Sequence, residues 1–316
     1  MWNGKVFRFK VLCFGVTNAP FTFNRLGQQL RKFFGLRGVS IIIYIDDILV
    51  VSDSSDKCKM DAQLVIDKLV ELGLHIKLEK CSLQPSQTFF FLGFLWDTNK
   101  MLCQLPEEKL LNIKALCGMI LSKDQVAVKS LQRLLGCVIA ARPAVLMSRA
   151  RSRGIQRMVP DHYKGKHTAN KLVRLTAWAK EDVLWWVNID ASECNMSLRS
   201  VPVWQSQRLA TDAMDYAIGS VFRGVEMYEV LDSSTAKQSI AHKEWMAFSR
   251  TVLPKLETLR DSVISWHVDN MNVRQAWPNS GTIRDKWLCE EVVKMQILLH
   301  EQNTRIVPVY IRSAQQ

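Results

Sequence analysis

Nowhere in the 316 residues does an uninterrupted apolar run approach the roughly 18 residues that a membrane-spanning helix requires. The N-terminus also lacks the charged-then-apolar pattern of a secretory signal. A cytoplasmic or nuclear setting without a membrane partner is therefore expected. No C-x-x-C pair occurs among the eight cysteines, which argues against a zinc ribbon and for reduced thiols. Internal repeats and low-complexity tracts are missing as well. What is present is an ordinary globular composition, 48% hydrophobic and 23% charged, in a chain long enough for about two domains.

Acidic residues are scarce in one region. The net charge is +12, yet residues 201–316 carry 13 basic and 13 acidic groups, whereas 101–200 carry 16 basic and 8 acidic. Between Arg142 and Arg174 stand nine basic residues and one acid, Asp161. Such a concentration reads either as a polyphosphate footprint, with Arg142, Arg149, Arg151, Arg153 and Arg157 as backbone contacts, or as a solvated helix face.

Taken in order, Lys5–Val11 alternates as a half-exposed strand, and Phe21–Phe34 has helical spacing ended by Gly35 and Gly38. Two β-branched runs, Ile41–Ile45 and Ile48–Val51, then flank Asp46-Asp47, the pattern of a hairpin with both arms buried. A helix is expected over Asp61–Leu72, a strand over His75–Leu78, and an aromatic strand with an interior Gly93 over Phe89–Trp96. Pro106 and Ser122–Asp124 are expected to open two helices, the second lined by Leu131, Leu134, Leu135, Val138 and Ile139. A further helix is expected over Leu172–Val187 and a polar loop over Asp190–Ser200. Beyond residue 200 come two strands, a helix at Ala241–Leu256, a strand at Val263–Asp269, a helix at Leu288–Leu299 and a strand at Arg305–Tyr310. That alternation predicts an α/β layer with its own core.

Two sets of acids carry the chemistry. Asp46 and Asp47 stand side by side at a hairpin tip, where mutual repulsion favours a divalent cation between them; Asp is also simply a good turn residue. In the last third, Asp212 ends a strand, Glu244 lies in a helix and Asp269 ends another strand. Acids so placed can converge on a shared metal pair.

Phe14-Gly15 followed by Ala19-Pro20, then Tyr44-Ile45-Asp46-Asp47, then Phe91-Leu92-Gly93-Phe94, resembles the palm of a retroelement reverse transcriptase. Leu105–Leu110 and Leu134-Leu135-Gly136 are similar to the helical thumb of tyrosine-recombinase-type, DIRS-like retrotransposons, and the later acids resemble a ribonuclease H site. The resemblance implies an α+β fold with a partial palm over 1–104, a helical thumb or connection over 105–200 and a ribonuclease H-like α/β domain over 201–316. It implies RNA-directed DNA polymerase and ribonuclease H activities on an RNA/DNA hybrid or template-primer, with dNTPs as substrates. Two Mg2+ per active site are implied, with Mn2+ as a substitute, held by Asp46 and Asp47 and by Asp212, Glu244 and Asp269. Phe14, Gly15, Ala19, Pro20 and Tyr44 would form the nucleotide pocket, and Leu92 and Gly93 would grip the primer.

Departures from the family pattern are also informative. The family carries another palm Asp upstream of the segment that starts here and a last ribonuclease H Asp beyond Ile306–Tyr310, and Cys13 stands where Pro is usual. A chain clipped at both ends, with severely reduced catalysis, is therefore expected. The alternative is a non-enzymatic remnant that only binds nucleic acid.

Overall fold

The structure is a computed structural model that describes residues 3, 9, 11–159, 170–198 and 206–311. These fall into two compact units, Met1–Lys100 and Met101–Gln316, both mixed in α and β. Of the expected strand over Lys5–Val11, residues 5–8 and 10 lie outside the described residues, and Phe9 and Val11 are in no strand; part of the basic stretch, residues 160–169, also lies outside them.

In the first unit, helix α1 (Ala19–Gly35) opens on Pro20, whose missing N–H is harmless in the first helical turn. Strands β1 (Ser40–Tyr44) and β2 (Asp47–Val51), helix α2 (Ser55–Glu71), and strands β3 (Thr88–Phe91) and β4 (Phe94–Asp97) follow. Leu30 and Phe34 of α1, Ile41 of β1, and Val65 and Leu69 of α2 form one buried cluster, flanked by Ile43, Ile48 and Val50. Only one face of the β1–β2 hairpin is covered: Ile42, Tyr44 and Val51 are exposed, against the expectation that both arms are buried. Strand side chains alternate between faces, and the helices cover one of them. Helix α2 starts six residues earlier than expected because the Ser54 hydroxyl accepts the Lys57 N–H. Residues 75–77 form no strand; Leu74 and Ile76 pack against the cluster, and Leu78–Lys80 is a 3-10 turn. The expected aromatic strand is instead a hairpin. Phe91 pairs with Phe94, and Leu92 and Gly93 between them have φ of 50° and 77°, as a type I′ turn demands.

The second unit begins with β5 (Leu102–Gln104), α3 (Glu107–Leu121), β6 (Val126–Ala127), α4 (Val128–Ala140) and α5 (Arg153–Met158). Next come β7 (Leu172–Val173), α6 (Ala177–Asn188) and β8 (Asn195–Ser197). Pairing of β6 with β7 displaces two expected helix starts: α4 opens at Val128 rather than Ser122–Asp124, and α6 opens at Ala177, capped by Thr176. Leu131, Leu134, Leu135 and Val138 are buried as expected, but Ile139 is exposed. The expected polar loop contributes β8, which pairs with β5. Helix α5 meets α6 at Gly154, where a Cβ would lie 2.7 Å from both Ala179 N and Trp178 C. The buried Asp182 carboxylate accepts the Gly154 N–H at 2.7 Å, and burial pushes that acid up to about 7. Gly154→Ala is expected to destabilise the unit by about 1–3 kcal/mol in urea unfolding. An unchanged midpoint would contradict the close approach.

The rest of this unit is a five-stranded sheet with helices: β9 (Ser206–Ala213), β10 (Ala217–Phe222), β11 (Val225–Val230), α7 (Ile240–Val252), β12 (Val263–Val268), α8 (Met271–Asn279), α9 (Lys286–Glu301) and β13 (Arg305–Tyr310). Strand order is β11-β10-β9-β12-β13, with β9, β10 and β11 antiparallel and β12 parallel to both β9 and β13. Trp245 and Phe248 of α7, Trp266 of β12 and Trp277 of α8 interlock in the core, Phe248 stacking on Trp266 at 4.0 Å between ring centroids. Strand β11 and helix α8 are additions to the sequence expectation.

Candidate active site

Parallel pairing of β9 with β12 sets the register of two acids. Ala210 opposes His267, so two residues further on Asp212 and Asp269 come level at the carboxyl ends of adjacent strands. Glu244 descends onto them from the first turns of α7. Carboxylate oxygens of Asp212, Glu244 and Asp269 lie within 4.8 Å of one another. Among the described residues this is the only group of three or more His, Cys, Asp or Glu side chains able to hold a metal ion.

The three acids differ in burial. Asp212 is exposed, Asp269 is half-buried and Glu244 is 1% exposed. Glu244 Oε2 is buried and has no hydrogen-bond partner. Its burial, followed by the charges of Asp269 and Asp212, pushes the Glu244 carboxyl up to about 9. A cation between the three would supply the missing partner and favour the ionised form, so the donor set fits a divalent metal.

Local locks fix each acid. Trp266 Nε1 donates to Thr211 Oγ1 at 2.9 Å, beside Asp212, and the Asp212 carboxylate accepts the Ala213 N–H at 2.9 Å. Asn270, next to Asp269, caps α8 by accepting the N–H groups of Asn272 and Val273 at 3.0 and 3.3 Å. Ser239 caps α7 by accepting the His242 N–H. None of these supports figures in the sequence expectation. Asn270 and Ser239 were nonetheless readable as cap residues ahead of helical spacing.

The other expected site residues lie in the first unit. Tyr44 pairs with Asp47 across the hairpin, leaving Ile45 and Asp46 as the turn, and Asp46 and Asp47 are both exposed. Ile45 has φ of 55°, a left-handed conformation that costs a β-branched residue on the order of 1–3 kcal/mol. Strain of this kind collects at functional turns. Asp46 and Asp47 belong to no three-residue ligand group among the described residues. Phe14 is fully exposed, Gly15 has φ of 82°, and Ala19 and Pro20 open α1. Leu92 and Gly93 form the β3–β4 turn described above.

The five arginines fall into three environments. Arg142 and Arg157 are exposed. Arg149 donates to Pro278 O at 2.6 Å and to Asn279 Oδ1 at 3.0 Å, and Arg153 donates to Asn279 O and to Gln156 Oε1. Both thus sit at the carbonyl end of α8, where the helix dipole favours cations. The Arg151 guanidinium lies 5.7 Å from the centre of the Trp185 ring.

Residues 1–95 match the family model described as reverse transcriptase (RNA-dependent DNA polymerase). The retrovirus-related Pol polyprotein from transposon opus of Drosophila melanogaster is 27% identical over 223 residues, covering 69% of this chain and 21% of the relative. The transposon Tf2-3 polyprotein of Schizosaccharomyces pombe is 24% identical over 269 residues, covering 81% of this chain and 18% of the relative. The chain thus spans about a fifth of the length of these curated relatives. A foamy viral protease-reverse transcriptase solved in complex with dsDNA is 17% identical, with a TM-score of 0.49 over 95% of this chain and 60% of that one. Over residues 1–95 the chain is thus similar to a reverse transcriptase domain, and the relatives that cover most of it are retrotransposon and retrovirus-related polyproteins.

Proposed function

We propose that this chain belongs to an RNA-directed DNA polymerase coupled to a ribonuclease H, and that Asp212, Glu244 and Asp269 are the ribonuclease site. The observation that carries this is the convergence within 4.8 Å of three carboxylates, two at the ends of adjacent parallel strands and the third on the buried Glu244, one of whose oxygens has no hydrogen-bond partner. Asp212, Glu244 and Asp269 would hold a pair of divalent cations, Mg2+ or Mn2+, which would supply an activated water and neutralise charge building on the scissile phosphate. Asp212 offers its carboxylate from the solvent side, where a nucleic acid strand has access, and Asp269 offers the level partner on β12. Glu244 closes the site from the core side and excludes water there.

In this reading residues 1–104 form the palm, 105–200 the thumb or connection and 201–316 the ribonuclease domain. Asp46 and Asp47 are metal ligands of the polymerase centre. Phe14, Gly15, Ala19, Pro20 and Tyr44 line the dNTP pocket, and the Leu92-Gly93 turn contacts the primer. The Leu105–Leu110 and Leu134–Gly136 motifs favour a tyrosine-recombinase-type element as the source.

Exposed Arg142 and Arg157 are the arginines free to meet a hybrid backbone. Each, changed to Ala, is expected to weaken hybrid binding at every sequence and to reduce the slope of log affinity against log salt by about 1. A slope unchanged in the double variant would remove this footprint.

The test is a cleavage and extension assay on the full chain. Mg2+- or Mn2+-dependent cutting of the RNA strand is expected in an RNA/DNA hybrid but not in duplex DNA. Primer extension, where seen, is expected to vanish in Asp46→Asn while hybrid cleavage persists. A binding protein without catalysis is the second reading, favoured by the exposed Arg142 and Arg157. Tight hybrid binding with neither reaction would select it.

A further inference from the structure

Lys243 lies next to Glu244 on α7 and is almost as deeply buried, at 3% exposure. A buried ammonium needs oxygen partners, and this one has two from the backbone. Its Nζ donates to Asp215 O at 2.9 Å and to Ala236 O at 3.3 Å. The Asp215 carboxylate is 3.8 Å away but fully exposed, so its ion pair adds little beside the carbonyl contacts.

The two carbonyls belong to different pieces of the site. Asp215 is in the β9–β10 turn, three residues after Asp212, and the turn closes with Met214 N–H on Ala217 O at 2.9 Å. Ala236 is in the Thr235–Lys237 3-10 turn that leads into α7 and Glu244. Consecutive helix residues point about 100° apart. Glu244 can therefore reach the strand ends while Lys243 reaches sideways to the turn. One side chain thereby ties the element carrying Glu244 to the segment carrying Asp212.

We infer that Lys243 is a positioning residue for the metal centre. Its ammonium sets the separation of Glu244 and Asp212 by holding the β9–β10 turn against the start of α7, without itself touching metal or substrate. This rests on the ribonuclease reading of the three acids. It adds a residue that acts through backbone carbonyls and whose removal loosens the metal rather than deleting a ligand. Supporting groups around metal ligands typically contribute 10–100-fold in affinity.

The experiment titrates Mn2+ into the full chain, well below each variant's melting temperature, and follows the loss of free Mn2+ by electron paramagnetic resonance. Wild type, Glu244→Gln, Lys243→Met and Lys243→Arg are compared. Lys243→Met is expected to weaken Mn2+ binding by about tenfold to a hundredfold. Lys243→Arg, which keeps a donor, is expected to recover most of that loss. Lys243→Met binding within twofold of wild type, with only a lowered melting temperature, overturns the inference and leaves the metal site standing. Wild type that binds no more Mn2+ than Glu244→Gln overturns the ribonuclease reading itself, and this inference with it.

A second measurement keeps the inference testable if Lys243→Met does not fold. Coupling is reciprocal, so Mn2+ added to the wild type is expected to slow amide exchange in residues 214–217 at least severalfold. Exchange there that is indifferent to saturating Mn2+ overturns the role assigned to Lys243.

Discussion

Glu244→Gln is expected to abolish divalent-dependent cleavage of the RNA/DNA hybrid, by at least about a hundredfold, which is about 3 kcal/mol of transition-state stabilisation. Gln preserves the shape of the side chain and removes only the charge, so the fold is expected to persist. Glu244 is the acid for which this matters most, since it is 1% exposed and one of its oxygens has no other partner. Asp212 is exposed and water can replace part of its contribution, so Asp212→Asn is expected to cost less. Hybrid binding in Glu244→Gln should stay near wild type, because its affinity comes mainly from phosphate contacts. Cleavage retained in Glu244→Gln would show that the reaction runs elsewhere.

Stability against pH gives the second large effect. Glu244 in the metal-free folded chain is raised from an ordinary 4.5 to about 9, first by burial and then by Asp269 and Asp212. Between those values the folded state holds a proton that the unfolded state has released. Stability from this group is therefore full below about pH 4.5 and declines as pH rises toward about 9. Asp182, raised to about 7 chiefly by burial, contributes a decline of the same sign over a lower window, so wild type alone does not isolate Glu244. Its contribution is the difference between wild type and Glu244→Gln. The variant's melting temperature is expected to gain on wild type steadily from pH 5 to pH 9 without metal. Saturating Mg2+ should erase that gain, since the cation holds Glu244 ionised in the folded chain. A difference that does not change with pH would contradict the buried, proton-holding Glu244.

The alternation of strands and helices beyond residue 200, and the acids at its strand ends, were legible because hydrophobic period and strand-end position are local properties. Strand β11 escaped because Val225–Val230 is an edge strand with an exposed pattern. The Arg223-Gly224 turn, with φ of 53° and 76°, was the available sign of a hairpin. Helix α8 was hidden by Pro278 and the Asn279-Ser280-Gly281 run, which read as loop although Pro278 sits only at the helix's last turn. The arginine cluster shows the limit of composition. Charge marks all five alike, yet Arg149 and Arg153 are committed to carbonyls 126 to 130 residues away, a fact no local pattern encodes. Lys243 is missed for the same reason, its partners being main-chain oxygens 28 and 7 residues distant.

The most direct measurement is calorimetric titration of Mn2+ into the full chain at pH 6.5 and 7.5, in buffers of different ionisation enthalpy. Since Glu244 holds its proton up to about pH 9, binding is expected to release about one proton and to tighten roughly tenfold per pH unit. Glu244→Gln should show neither proton release nor that pH dependence. Mn2+ binding that is pH-independent, or that is equally tight in Glu244→Gln, would contradict a metal centre built on Asp212, Glu244 and Asp269.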